Sequence, residues 1–231
     1  MKHKGSRNAL IACVCTFLII LSLGALIYAT SYRRPERFYA IDPATNPNNA
    51  IIATAIEAVV RKFTITTICE IQCGNCSWVP LLLDKMPALR YVGYESNPVL
   101  LKHAAGILSK YPQATVELGD PKNLTPTTCD LIISRTYLEE LSYGDIGRAV
   151  VRFSQYDCKF FALGSYSHKA SDNRDTQTGT KFLINLEKHP FNMSPAHRTN
   201  EGNTNRELFV YTVQQMRGYV KSNAFWTSGI S

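Results

Sequence analysis

The segment Ala9 to Ala29 (ALIACVCTFLIILSLGALIYA) runs for twenty-one residues without a charge, and no other feature narrows the possible architectures of this chain as far. A helix rising about 1.5 Å per residue needs about twenty apolar residues to cross the hydrocarbon core of a bilayer. The run exceeds the roughly 7–15-residue apolar stretch of a cleaved signal peptide. Ile27-Tyr28-Ala29 is also a poor small-x-small cleavage site. The segment therefore predicts an uncleaved single-pass transmembrane helix, with the membrane as partner. Cys13 and Cys15 inside it read as apolar filler.

The formal charge of +7 suggests a nucleic-acid partner until it is divided by region. Lys2, Lys4, Arg7, Arg33, Arg34 and Arg37 against Glu36 place +5 in residues 1–40, which leaves +2 for the rest. Beyond residue 40 the Lys and Arg are scattered, so the basicity belongs to the membrane flanks and nucleic acid is not an expected partner. Positive charge on both sides of the span nearly balances the positive-inside rule. The extra charge of the amino terminus, and the habit of signal-anchors of keeping the short end cytosolic, favour a lumenal or extracellular domain. Sequons at Asn75, Asn123 and Asn192 fit that side. The expected organisation is a basic tail at 1–8, the anchor at 9–29, a juxtamembrane linker at 30–49 and one domain at 50–231.

Within that domain, Ala50–Lys62 has apolar residues at helical spacing. Strands are predicted at Thr64–Ile71, Arg90–Glu95, Thr115–Leu118, Asp130–Ser134 and Lys159–Leu163, and a late one at Leu208–Val213. Helices are predicted between them at Trp78–Lys85, Pro98–Tyr111 and Tyr143–Ser154. This alternation predicts an α/β fold, a mostly parallel doubly wound sheet with helices on both faces. The polar stretch Ser167–Asn205 reads as a functional loop.

In open α/β sheets, ligands bind outside the carboxyl ends of the strands. Here the first strand runs into Glu70-Ile71-Gln72-Cys73-Gly74-Asn75-Cys76, the second ends on Glu95, the third on Gly119-Asp120 and the fourth on Ser134-Arg135. These residues resemble the class I S-adenosylmethionine-dependent methyltransferases, a Rossmann-like family. The Glu70–Trp78 segment is similar to their acidic-x-Gly-x-Gly-x-Gly loop, and Tyr91–Glu95 to their second motif, with Glu95 in the ribose position. Asp120 matches the adenine-side acid, and Asp130–Arg135 the fourth-strand motif. Asn173–Gly179, Pro190-Phe191-Asn192 and Asn200-Glu201 resemble tail segments of one subgroup. The resemblance implies S-adenosylmethionine as cofactor, held by Glu70, Gln72, Cys73, Gly74, Cys76, Glu95, Asp120 and Ser134, and a methyl acceptor of unknown kind.

Gln72 and Cys76 stand where the family has glycine, and a left-handed backbone at Gln72 would cost on the order of 1–2 kcal/mol. Thr136 and Glu140 stand where the subgroup has Asp and His. Arg135, Glu139, Glu140, His168, Asn173 and Asp175 are candidates for the acceptor side, with Arg135 and Asp175 as the catalytic pair. The missing glycines equally suit a second reading, a methyltransferase-like binding domain without activity. A remote third reading takes Cys69, Cys73 and Cys76 (C-x3-C-x2-C) as the iron–sulfur motif of radical S-adenosylmethionine enzymes, although Cys69 falls inside a predicted strand. Finally, Cys129 and Cys158 precede two strands expected to be neighbours, with Cα atoms about 5 Å apart, so a disulfide is expected if the domain is lumenal.

Overall fold

The computed structural model describes residues 47–167, 172–202, 206–223 and 225–226. Among them no helix is long and apolar enough to cross a membrane. The tail, the anchor at 9–29 and the linker up to residue 46 lie outside the described residues, as does His168.

Helix α1 (Pro47–Phe63) starts three residues inside the expected linker, with Pro47 as its first residue. Proline suits a helix start because the N–H it lacks would have no intrahelical partner there. The helix ends where Thr64 takes φ 52° and the Ile65 N–H turns back to the Val60 carbonyl at 3.0 Å. Such a left-handed closure satisfies terminal carbonyls, and it delays strand β1 to Thr67–Ile71. There follow α2 (Val79–Leu83), β2 (Arg90–Glu95), α3 (Pro98–Leu108), β3 (Ala114–Leu118) and β4 (Leu131–Ser134). A 3₁₀ turn (Tyr137–Glu140), α4 (Tyr143–Phe153), β5 (Phe160–Ser165), β6 (His197–Asn200), β7 (Glu207–Thr212) and α5 (Val213–Ser222) complete the chain. Asn97 caps α3, accepting the N–H groups of Val99 and Leu100. The helix stops short of the expected Tyr111 because Tyr111 precedes Pro112, and proline disfavours a helical residue before it.

The seven strands form one sheet in the order β3-β2-β1-β4-β5-β7-β6. Strands β1 to β5 pair in parallel, while β7 runs antiparallel to both β5 and β6. Side chains alternate across the sheet and build two cores. Cys69, Ile132, Phe161 and Phe209 face α4, α5 and the buried loop residues Ile184, Leu186 and Phe191. Ile68, Tyr91, Leu131 and Val210 face α1, α2 and α3 through Ile56, Leu82 and Ala104. At the amino edge, Asp130 joins three strands. Its carboxylate accepts the Thr66 N–H at 2.7 Å and pairs with Lys159 at 2.7 Å. Burial works against its charge, yet Lys159 and Thr66 hold its carboxyl well below the usual range.

Two expectations are corrected here. Cys129 and Cys158 are both free thiols, so the expected disulfide is not formed. Cys129 is instead buried with Cys69 in the core facing α4. The cysteines of the C-x3-C-x2-C pattern diverge: Cys69 lies in the core facing α4, and Cys73 and Cys76 lie in the core facing α1. The sheet between them rules out a shared cluster. The polar stretch after β5 is also better anchored than a loop of its composition suggests. Tyr166, Gly179 and Phe182 donate backbone N–H groups to Ile184, Glu140 and Glu139 at 2.7–2.8 Å, and the stretch ends in the unanticipated strand β6.

Gly164 of β5 offers a direct test of this packing, because a Cβ there would lie 1.9 Å from the Arg135 carbonyl oxygen. Gly164→Ala should lower unfolding free energy by about 3 kcal/mol or more through overpacking. Gly106 of α3 has open space around it, so Gly106→Ala should stabilise by roughly 0.5–1 kcal/mol. Denaturant titration of both variants checks the contrast.

Candidate active site

The carboxyl ends of β1, β2, β3 and β4 bring the expected residues to one edge of the sheet. Between β1 and α2 the chain alternates into the left-handed region at Gln72 (φ 56°), Gly74 (φ 64°) and Cys76 (φ 55°). These are the three glycine positions of the loop expected from the sequence. Glycine adopts this region freely, whereas an L-residue there costs on the order of 1–2 kcal/mol. The loop geometry is therefore kept although two of its three glycines are gone.

Side-chain contacts hold the two strained residues. Cys76 is fully buried, with its Sγ 3.4 Å from the Tyr91 hydroxyl. Tyr91 in turn donates to Glu70 Oε2 at 2.5 Å. Glu70 is thus a buried prop beneath the loop. Burial drives its pKa up to about 7, opposed by the charge of Arg135 and the Tyr91 hydrogen bond. Cys73 is also buried, and its Sγ sits 2.8 Å from where a Cβ on Gly93 would be. Gly93 in β2 is what makes room for it.

Glu95 ends β2 with its carboxylate fully engaged. Oε2 accepts the Gly74 N–H at 2.9 Å and Oε1 the Asn97 N–H at 2.8 Å. The Gln72 carboxamide, with its nitrogen turned to the carboxylate as the surrounding acceptors require, adds contacts of 2.9 and 3.3 Å to the two oxygens. Beside it, the Gly119 N–H bonds the Glu95 carbonyl at 3.1 Å, which brings Asp120 next to this strand end. Asp120 is exposed and accepts the Lys122 N–H at 2.9 Å. On β4, Ser134 is buried with an Oγ that meets no hydrogen-bond partner. Above Gly74 nothing lies within 4 Å of where a Cβ would stand. Open space over the loop, a carboxylate at one end and an orphaned hydroxyl at the other fit a polar nucleoside ligand.

Across β4, β5 and β7 the same edge is filled by paired charges. Arg135 donates from Nε to Glu201 Oε1 at 2.6 Å. Arg206 also pairs with Glu201, and reaches Glu139 at 3.2 Å. Tyr166 donates to Glu139 at 3.1 Å and Lys181 approaches it at 3.2 Å. Glu139, Glu201 and Arg206 are all buried. Buried charges persist only when paired and hydrogen-bonded. Arg135 therefore arrives at the site as part of a network. Asp175, its expected partner, is elsewhere: it is exposed and accepts the N–H groups of Tyr143 and Thr176 at 2.7 and 2.9 Å, pinning the loop to the first turn of α4. Asn173 acts likewise, with its amide bonded to both backbone groups of Asn185 and to the His189 carbonyl. Asp175 and Asn173 thus serve as loop anchors. Sequence reasoning assigned Arg206 and Tyr166 no role and left Glu201 without one. The available signal was an Arg directly preceding a strongly apolar strand.

No protein-family model and no curated protein matches this chain. Solved structures do. The mitomycin 7-O-methyltransferase MmcR superposes with a TM-score of 0.56 at 16% identity, covering 71% of this chain and 53% of that one. Human N-acetylserotonin methyltransferase, solved in complex with S-adenosylmethionine, gives a TM-score of 0.55 at 15% identity, over 72% and 51%. The CurJ carbon methyltransferase gives 0.52 at 13%, over 71% and 54%. The chain spans about half the length of these methyltransferases. Its fold is that of the class I S-adenosylmethionine-dependent methyltransferases.

The buried Glu70 sets a pH signature. A carboxyl whose pKa is raised from 4.5 to about 7 on folding keeps its proton in the folded state while the unfolded chain loses it. Its contribution to stability is complete below about pH 4.5 and falls as pH rises toward 7, by an amount of order 3 kcal/mol. Glu70→Gln, which cannot ionise, should remove this fall, so that the variant gains on the natural chain from pH 5 to 8. Unfolding free energies of both proteins across that range test it.

Proposed function

We propose that this chain is a membrane-anchored S-adenosylmethionine-dependent methyltransferase acting on an oxygen or nitrogen acceptor. One observation carries the reading: a left-handed loop after β1 whose central glycine N–H is bonded to the carboxylate that ends β2. In this reading Glu95 receives the ribose hydroxyls, Asp120 the adenine edge, and Gly74 with Ser134 the methionine end. Bound there, the cofactor would supply an electrophilic methyl to the lone pair of an oxygen or nitrogen acceptor. The protein's part is alignment and exclusion of water. Arg135, held in place by Glu201, is the residue that faces the acceptor. Asp175 is a positioning residue that fixes the loop over it.

Anchoring through residues 9–29 rests on the uncharged run, and its flanking charges favour a lumenal or extracellular domain, against which the free thiols of Cys129 and Cys158 count. A second reading, a binding domain without activity, is favoured by the side chains at Gln72 and Cys76, which occupy glycine positions. Titration calorimetry of the full chain in detergent with S-adenosylmethionine tests the cofactor assignment. A saturable heat is expected, with affinity lowered at least tenfold (about 1.4 kcal/mol) by Glu95→Gln. Absence of heat or thermal shift at millimolar ligand would overturn it. Binding without methyl transfer to any oxygen or nitrogen acceptor would favour the second reading.

A further inference from the structure

Taking the S-adenosylmethionine reading as its basis, we infer that Gln72 is a built-in occupant of the ribose subsite. Its carboxamide lies on the face of Glu95 where a nucleoside diol would bind, and it must leave before a nucleoside can enter. An ionised carboxylate offers about four lone-pair sites. Two are taken permanently by backbone, from Gly74 N–H at 2.9 Å and Asn97 N–H at 2.8 Å. The Gln72 nitrogen straddles what remains, 2.9 Å from one oxygen and 3.3 Å from the other. One amide group thereby touches both carboxylate oxygens, as two vicinal hydroxyls would. Ser96 steadies it by donating from Oγ to the Gln72 carbonyl at 2.9 Å.

The backbone fixes this placement. At φ 56° the direction of the Gln72 Cβ is set by the loop, so the side chain cannot withdraw by a shift of the main chain. It leaves only by rotating about its own side-chain bonds. Gln72 is half-buried and Ser96 exposed, so that rotation opens toward solvent and disturbs no core contact. A glycine at this position would carry no such group. The Gln72 side chain therefore competes with the hydroxyls of the ligand for one acceptor, and the competition weakens every ligand that carries a ribose diol.

The test uses the full chain in detergent, as the natural protein and as Gln72→Ala and Gln72→Gly, titrated with S-adenosylmethionine and with 2′,3′-dideoxyadenosine. Alanine removes the amide alone; glycine also suits the left-handed backbone and guards against misfolding. Both variants should bind S-adenosylmethionine about tenfold tighter than the natural chain, while the dideoxynucleoside binds all three alike. Unchanged or weaker S-adenosylmethionine binding by both variants, with the natural chain still binding, would overturn the gate and leave the cofactor reading standing. An equal gain for the dideoxynucleoside would overturn it too, since the gain would not pass through the diol. Failure of all three proteins to bind S-adenosylmethionine would overturn the cofactor reading and this inference together.

Discussion

The Glu95 carboxylate receives the N–H of Gly74 from the end of one strand and that of Asn97 from the end of its own, and the geometry of the crevice depends on that double contact. It ties the β1 loop to β2 at the point where both leave the sheet, and it orients α3, whose cap residue is the same Asn97. Hydrogen bonds from backbone N–H to an ionised acceptor are stronger than neutral ones, and here both donors lie within three residues of a strand end. Asp130 does the equivalent work at the opposite edge, joining β1, β4 and β5 through Thr66 and Lys159. Two carboxylates, one at each end of the strands, thus set where the central sheet begins and ends.

Much of this was legible in the chain, and the reasons differ by element. The strand from Leu131 to Ser134 was readable because parallel strands buried on both faces appear as apolar runs, and that from Arg90 to Glu95 because its Tyr and Val residues favour strands. Glu95 and Gly74 were findable because each falls where a strand end runs into a turn. Strand β6 was not readable: His197, Arg198, Thr199 and Asn200 alternate half-buried and exposed at a sheet edge, and nothing in their composition marks a strand. Asp175 and Asn173 bind loop backbone, a role hard to read from sequence for a related reason. Polar side chains that cap helices and bind loop backbone look, in a sequence, like side chains waiting for a substrate.

The ion network around Glu201 was hidden for a stronger reason. Glu201 and Arg206 are close in sequence, but Arg135 and Glu139 come from a different part of the chain, and only the order β4-β5-β7 brings the four together. Replacing such a set with apolar residues is often neutral or stabilising in other proteins, so its presence is not an argument from stability. What it does provide is a defined geometry: Arg135 is held through Nε while Gly164 lets its carbonyl pass close over β5. The loop at Gln72 and Cys76 shows the opposite economy, with backbone strain tolerated because buried contacts to Tyr91 and polar contacts to Glu95 and Ser96 hold the conformation.

The strand order also decides which backbone is left open at the margins of the sheet. Among the described residues, β3 pairs only with β2 and β6 only with β7, so each presents one row of unpaired amides to its surroundings. Such rows are templates for pairing with another chain, and proteins blunt them with short strands and charge. Here the two edges are five and four residues long. The first carries Glu117 beside the exposed Leu118, and the second carries Arg198, paired with Glu187 and stacked on Phe209. The margin that bears Asp120 is therefore guarded by one acidic side chain, and the far margin by a cation anchored on two sides.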